Sequence, residues 1–377
     1  MIYFDNNATT KVDEEVAEVI LKYMTKYYAN PNSIHKFGVE VENDLEEARE
    51  NIAKLLKVSV NEIYFTSCAT ESINWVLRGV AKANSNRGKH IITSSIEHSA
   101  VISTLKDLER LGYEVTYLKV DKKGIVELEE LSKSIRKDTI LVSLMAANNE
   151  IGTIEPIKEA YKIVKEKNKE AYFHIDAVQA LGKIPFDLEI YKCEFASFSA
   201  HKFHGPKGVG ILYKKTGSRI FPLITGGNQE NAMRGGTQNV AGIIGTSIAL
   251  KKSCEHIPFM NSEIKEIRNM LANELKSMGA EIVTPLEDSV PNTLAVFFPK
   301  IRGDIIVNAL SEEEIFVSTT SACSSKVNST SKVMREMGYD EDSSKGMIRI
   351  SLSYLNNHEE VQIFVNKLKN VLKFLNY

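Results

Sequence analysis

Between residues 62 and 213 the sequence alternates short apolar runs with longer stretches of helical period, and polar clusters recur where the apolar runs end. Strand-length runs occur at 62–67, 90–93, 114–120, 139–147, 172–176 and 195–199, with helices expected at 69–83, after Ser99 and around 127–136. This pattern predicts an α/β fold with a mostly parallel sheet and crossover helices on both faces. Ligands in such sheets bind at the carboxyl ends of the strands. Four of those ends offer His98, Asn149, Asp176 and Lys202. A carboxylate at Asp176, beside residues expected to be buried, is costly unless a cation or hydrogen bonds meet it.

The densest cluster lies in 195–213, where an apolar run ends in Ser199, His201 and Lys202 and a Gly/Pro-rich turn leads into a second apolar run. A lysine held there and partly desolvated has a lowered proton affinity, which suits covalent amine chemistry, and Ser199 and His201 can bind an anion or a cofactor group. A solvated surface lysine is the competing reading of this loop alone. Thr70 opens the helix after the first of these strands, where unpaired amides make an anion site; a plain N-cap is the competing reading, and the two roles are compatible. His98 stands at a strand-to-helix junction as a cap, an acid-base group or an aromatic plate. The polar, glycine-rich segment 225–240, with Thr237 and its neighbouring amides, is a candidate second anion-binding segment or a subunit-contact loop.

The remaining chain bounds the function. At 377 residues two domains are expected, a larger one at 15–254 and a smaller α+β unit at 255–377 that takes in 1–14, with a long helical stretch around 240–278 between them. A formal charge of −2 gives no reason to expect nucleic acid, and no apolar run is long enough to span a membrane. Cysteines 68, 193, 254 and 323 form no C-x-x-C pair, which fits a reducing compartment, and with no export signal visible the expected location is cytoplasmic. Cys323 lies among small hydroxyl residues near Lys326, a setting for an accessible thiol of lowered pKa, although a lone cysteine is more often inert. Arg349, within a strand pattern, is either an edge residue or a buried clamp for a carboxylate.

Several ordered motifs carry a family resemblance over nearly the whole chain. They include residues 3–10 (YFDNNATT), 69–72 (ATES), 93–98 (TSSIEH), 148–152 (NNEIG), 174–179 (HIDAVQ), 199–202 (SAHK), 233–237 (MRGGT), 321–323 (SAC) and 348–351 (IRIS). The chain resembles the pyridoxal-phosphate cysteine desulfurases of the class V aminotransferase group, which supply sulfur for iron-sulfur clusters and tRNA thiolation. The resemblance implies fold type I, with a mostly parallel seven-stranded sheet in the large domain and a smaller α+β C-terminal domain.

By that resemblance Lys202 is the Schiff-base lysine, His98 stacks on the cofactor ring and assists proton transfer, and Asp176 pairs with the pyridine nitrogen. Gln179 contacts the ring oxygen, and Thr70, Ser199 and His201 hold the phosphate. Thr237 reaches the phosphate of a neighbouring subunit, which implies a homodimer. Arg349 and Asn149 hold the carboxylate of L-cysteine, and Cys323 accepts the sulfur as a persulfide. No resident metal is implied, although Cys323 could transiently ligate a cluster on a partner. A sulfur-acceptor protein, either an iron-sulfur scaffold or a tRNA-thiolation enzyme, is the implied partner. Cys68, Asn228 and Thr320 depart from the family's usual glycine, which would matter if those positions need a positive φ. A selenocysteine lyase, another small-amino-acid enzyme of this fold and a non-catalytic sulfur-relay protein are the alternatives.

Overall fold

The computed structural model describes residues 1–319 and 330–375. In chain order it begins with β1 (Ile2–Tyr3), α1 (Glu14–Thr25), α2 (Lys36–Leu56), β2 (Ile63–Thr66), α3 (Ala69–Ala83), β3 (His90–Ser94), α4 (Ser99–Arg110) and β4 (Glu114–Leu118). Then come α5 (Leu128–Ser134), β5 (Thr139–Met145), α6 (Ile157–Lys167), β6 (Tyr172–Asp176), β7 (Phe195–Ser199) and β8 (Gly210–Lys214). The rest holds α7 (Val240–Glu255), α8 (Ile257–Phe259), α9 (Lys265–Ser277), β9 (Glu281–Ile282), β10 (Thr293–Phe297) and α10 (Gly303–Glu312). It closes with β11 (Ile315–Phe316), α11 (Lys332–Glu336), α12 (Glu341–Gly346), β12 (Met347–Ser351) and α13 (His358–Phe374).

The large sheet runs β2-β8-β7-β6-β5-β3-β4. β8 is antiparallel to both neighbours, while the pairs from β7 across to β4 are parallel. Because successive side chains on a strand point to opposite faces, the alternation builds two cores. Ile91, Leu141 and Phe195 pack with α3 and α4, whereas Ile92, Val142, Phe173 and Ile175 pack with α2, α6 and α7. Helices therefore cover both faces, as the strand-helix alternation predicts. Strand order reverses at β3, which has β4 on one side and β5 on the other. A crevice is expected at the carboxyl ends there, and the chain leaving β3 carries His98 into it.

A third apolar cluster collects Phe4, Ile267, Leu271, Leu294, Ile350 and Phe364. It is built on the antiparallel sheet β12-β10-β9 and on β1, which pairs in parallel with β11. The first strand thus joins the α+β unit made by the end of the chain. The expected helical stretch around 240–278 consists of several pieces: α7 is capped at His256, Pro258 sits in the first turn of α8, and a π-helical turn over Met260–Ile264 leads into α9. Proline cannot donate the amide that an unbroken helix needs there. The six-residue α12 is an element the sequence pattern did not indicate.

Candidate active site

The residues at these strand ends converge on one cavity. Lys202 ends a single 3-10 turn, Ala200–Lys202, that follows β7 directly. The turn is closed by the amides of Phe203 and Gly205 on Ala200 O at 3.1 and 3.0 Å. Its Nζ donates to Asn7 O at 2.6 Å and to Ala8 O at 2.8 Å, so the lysine is half-buried against the N-terminal segment and is not a solvated surface group. His201 bonds Thr9 Oγ1 through Nδ1 at 3.1 Å, and its carbonyl receives the Thr10 amide and hydroxyl. Burial, then the Lys202 charge, brings the His201 pKa down to about 4, so its ring is neutral near pH 7.

His98 is the N-cap of α4, the first of its three readings, and it also lines the cavity. Its Nδ1 accepts from the Ala100 amide at 3.1 Å, which places the neutral ring's proton on Nε2. Burial and the Lys202 charge lower its pKa to about 4. Asp176 closes β6, and its Oδ1 accepts from the Val178 amide at 3.1 Å. Burial raises its pKa to about 6, opposed by that hydrogen bond and by Lys202. A carboxylate buried in this way favours a cationic partner.

Thr70 lies within the first turn of α3 and lines the cavity, but it is not the cap. That position belongs to Cys68, which makes no side-chain capping bond, so the first amides of this fifteen-residue helix are left for a ligand. Ser199, buried at the end of β7, completes this group. Cys68 has φ −174° and Asn228 φ −85°, so neither needs the glycine conformation. The left-handed residues of the nearby loop are instead Glu230, Asn231 and Ala232, at φ 48°, 55° and 60°. Glu230 is fixed there by Arg49, whose Nη1 and Nη2 donate to its carboxylate at 2.7 and 2.9 Å, and by the Phe65 amide. Thr237, farther along this loop, is exposed and lies outside the cavity of its own chain.

Arg349 is buried in β12, not placed at a free edge: its carbonyl and amide exchange hydrogen bonds with Ser318. One guanidinium nitrogen donates to Asn149 O at 3.0 Å and another to Asp5 Oδ1 at 2.7 Å, while Nε has no partner among the described residues. Arg349 and Asn149 line the same cavity as Lys202. Cys323, Lys326 and Thr320 lie outside the described residues.

Sequence reasoning missed the residue that ties these parts together. Asn7 receives Lys202 and the Gln179 amide on its carbonyl, Lys183 Nζ and Asn292 Nδ2 on its side-chain oxygen, and its Nδ2 donates to Thr293 and Asn149. Paired asparagines after a short strand read as a turn. The available hint was that two consecutive amides, each able to donate and accept, directly precede the Ala8-Thr9-Thr10 motif.

The class-V aminotransferase profile matches residues 2–364. The cysteine desulfurase IscS of Dictyoglomus turgidum is 43% identical over 376 residues, covering 99% of this chain and 95% of that protein. A solved NifS-like protein superposes with a TM-score of 0.95 at 50% identity, covering 99% of both chains. A structure described as SspA in complex with cysteine gives a TM-score of 0.83 at 32% identity, covering 93% of this chain and 99% of that one. With the lysine after β7, the buried aspartate of β6 and the histidine-capped α4 in one cavity, this chain belongs to the class-V aminotransferase family, in its IscS/NifS-like cysteine desulfurase branch.

Proposed function

We propose that the chain is a pyridoxal 5'-phosphate-dependent cysteine desulfurase that converts L-cysteine to L-alanine and passes the sulfur to Cys323. The observation that carries this reading is the meeting of Lys202, the ring-facing candidates Asp176 and His98, and Arg349 in one cavity beside the open N-terminus of α3. The cysteine complex described for SspA supports the choice of substrate.

The donor set fits the cofactor. Thr70, Ser199, His201 and the first amides of α3 would hold its phosphate. Asp176, whose ionised form burial penalises, would pair with the ring nitrogen, and a protonated ring would offset that penalty. The neutral imidazole of His98 would lie on the ring, Gln179 would meet the ring oxygen, and Lys202 would form the covalent link. When bound, the cofactor supplies an electron-accepting ring conjugated with the substrate's α-carbon.

This chain's own groups then bind the substrate and move its protons. Arg349 and Asn149 would receive the carboxylate of cysteine, Arg349 with its unpartnered Nε and a guanidinium already oriented by Asp5. Lys202 Nζ would take the α-proton, and its mobility is limited by the two carbonyls of the N-terminal segment. The Cys323 thiolate would form a bond to the substrate sulfur as the carbon–sulfur bond breaks. The carbon keeps that electron pair and takes up a proton, leaving alanine and an enzyme persulfide. Thr237, exposed on its loop, would serve the phosphate of a second copy in a homodimer. The persulfide would pass to an acceptor protein in the cytoplasm, either an iron-sulfur scaffold or a tRNA-thiolation enzyme. In this reading 15–254 forms the cofactor-binding unit, and 255–377 with 1–14 carries the cysteine.

The test compares native protein with Cys323→Ala, each loaded with pyridoxal phosphate and supplied with L-cysteine and a reductant. Native protein should release sulfide and alanine in equal amounts, and the variant should bind cofactor yet lose most of its sulfide production. Equal desulfuration by the two proteins would remove Cys323 from the mechanism. Bound cofactor with no reaction in either would refute cysteine as the substrate.

A further inference from the structure

Lys183 is a buried amine with no role in the chemistry above. Its Nζ donates to Asn7 Oδ1 at 2.8 Å and, in a very short contact, to Gln179 Oε1. Among the described residues it forms no ion pair with a carboxylate. The orientation of Gln179 can be read independently of the lysine. The end of its amide that faces the Asn7 carbonyl must be the nitrogen, because a backbone carbonyl only accepts, and this bond measures 3.0 Å. The other end, the oxygen, is the one that Lys183 meets. The orientation of Asn7 follows in the same way, since Asn292 donates both to its Oδ1 and to the carbonyl of Leu352. Lys183 thus satisfies the oxygens of two side chains whose positions bear directly on the cavity.

We propose that Lys183 is a positioning residue: it locks the side-chain amides of Gln179 and Asn7 so that Gln179 keeps its nitrogen, as a donor, on the side of the Lys202 amine, and Asn7 keeps the carbonyl that receives that amine in place. The inference rests on reading the cavity as a pyridoxal-phosphate site. A Gln179 amide free to rotate would turn an acceptor toward Lys202 and present the wrong group to a ring oxygen. Burial and the charges of Lys202 and Arg349 push the proton affinity of Lys183 well down. The arrangement tolerates either state, because a neutral amine still has two N–H groups, one for each oxygen. The other ionisable groups facing Lys202 are Asp176 at the end of β6, His98 on α4, His201 in its own turn and Arg349 on β12.

The experiment is a double-mutant cycle on the full-length protein without substrate. The affinity for pyridoxal phosphate and the pH midpoint of the visible absorption of the loaded protein are measured for native protein, Lys183→Met, Gln179→Ala and the double variant. Lys183→Met should weaken cofactor binding about tenfold, the scale of one buried acceptor left unpaired, and should move the absorption midpoint. In the Gln179→Ala background the same substitution should weaken binding by clearly less than in the native background, because only the route through Asn7 remains. Lys183→Gln keeps an amide donor and should recover most of the affinity. An equal effect of Lys183→Met in both backgrounds would overturn the proposal, and so would a midpoint that does not move or a glutamine variant as weak as the methionine one. If the native chain bound no pyridoxal phosphate, the site reading itself would fail, an outcome distinct from tight binding that Lys183→Met leaves unchanged.

Discussion

Asp176→Asn should stabilise the protein without cofactor and weaken it with cofactor. Burial raises the Asp176 pKa from 3.8 to about 6, so the folded chain holds that proton more tightly than the unfolded chain does. Its contribution to stability is therefore fully present below about pH 4 and is lost as the pH rises through about 6. The raised pKa makes the ionised carboxylate cost the empty protein about 3 kcal/mol at neutral pH. Asparagine keeps the shape and never ionises. Urea unfolding of the cofactor-free proteins at several pH values should show the variant's advantage growing by roughly 2–3 kcal/mol between pH 4 and 7 and then levelling. Glu97, whose own proton affinity is raised by burial and then by the Asp176 charge, is present in both proteins and keeps its hydrogen bonds to Ser94 and Met145. With pyridoxal phosphate added the order should invert, because only the carboxylate can neutralise a protonated ring. A stability difference that did not vary with pH would refute the idea that Asp176 is a buried charge awaiting a cation.

Two further substitutions test the supports of the site. Arg49→Met leaves Glu230, with 1% of its side chain exposed, without its bidentate partner, and should cost about 3–5 kcal/mol in urea unfolding. A loss below about 1 kcal/mol would mean the pair does not hold the left-handed turn at 230–232. Asp5→Ala frees the Arg349 guanidinium and should raise KM for cysteine about tenfold with a smaller change in kcat. An unchanged KM would show that Arg349 is held well enough by Asn149 alone.

The parts of the site that lie at strand ends were legible because the same periodicity that builds the sheet also says where each strand stops. His98, Asn149, Asp176 and Lys202 follow from that rule, and their convergence follows from parallel strands sharing one carboxyl edge. What pattern cannot reveal is which polar residue meets which across several hundred positions. The Arg49–Glu230 pair joins α2 to a loop 181 residues away, and neither partner stands out among the chain's many charged residues. Lys183 reads as a surface lysine until its neighbours are known, although its spacing of four from Gln179 is compatible with one turn of chain. Thr70 was placed in the correct helix, but its capping role could not be judged from type alone, because the backbone and not the side chain defines the cap.

The pairing of β1 with β11 and the attachment of Asn6 and Asn7 to Ser351 set an order on how this protein can be made. The ribosome releases residues 2–7 long before their partners Ile315 and Ser351 are translated. The cores around the large sheet can condense while synthesis continues, since domains tend to fold as units during translation. The two carbonyls that receive Lys202 lack their anchor on Ser351 until β12 has emerged, 344 residues after Asn7. A nascent chain stalled before β12 would therefore hold all seven strands of the large sheet with the N-terminal carbonyls around Lys202 still unanchored, and competence to capture the cofactor would come only after β12 is made.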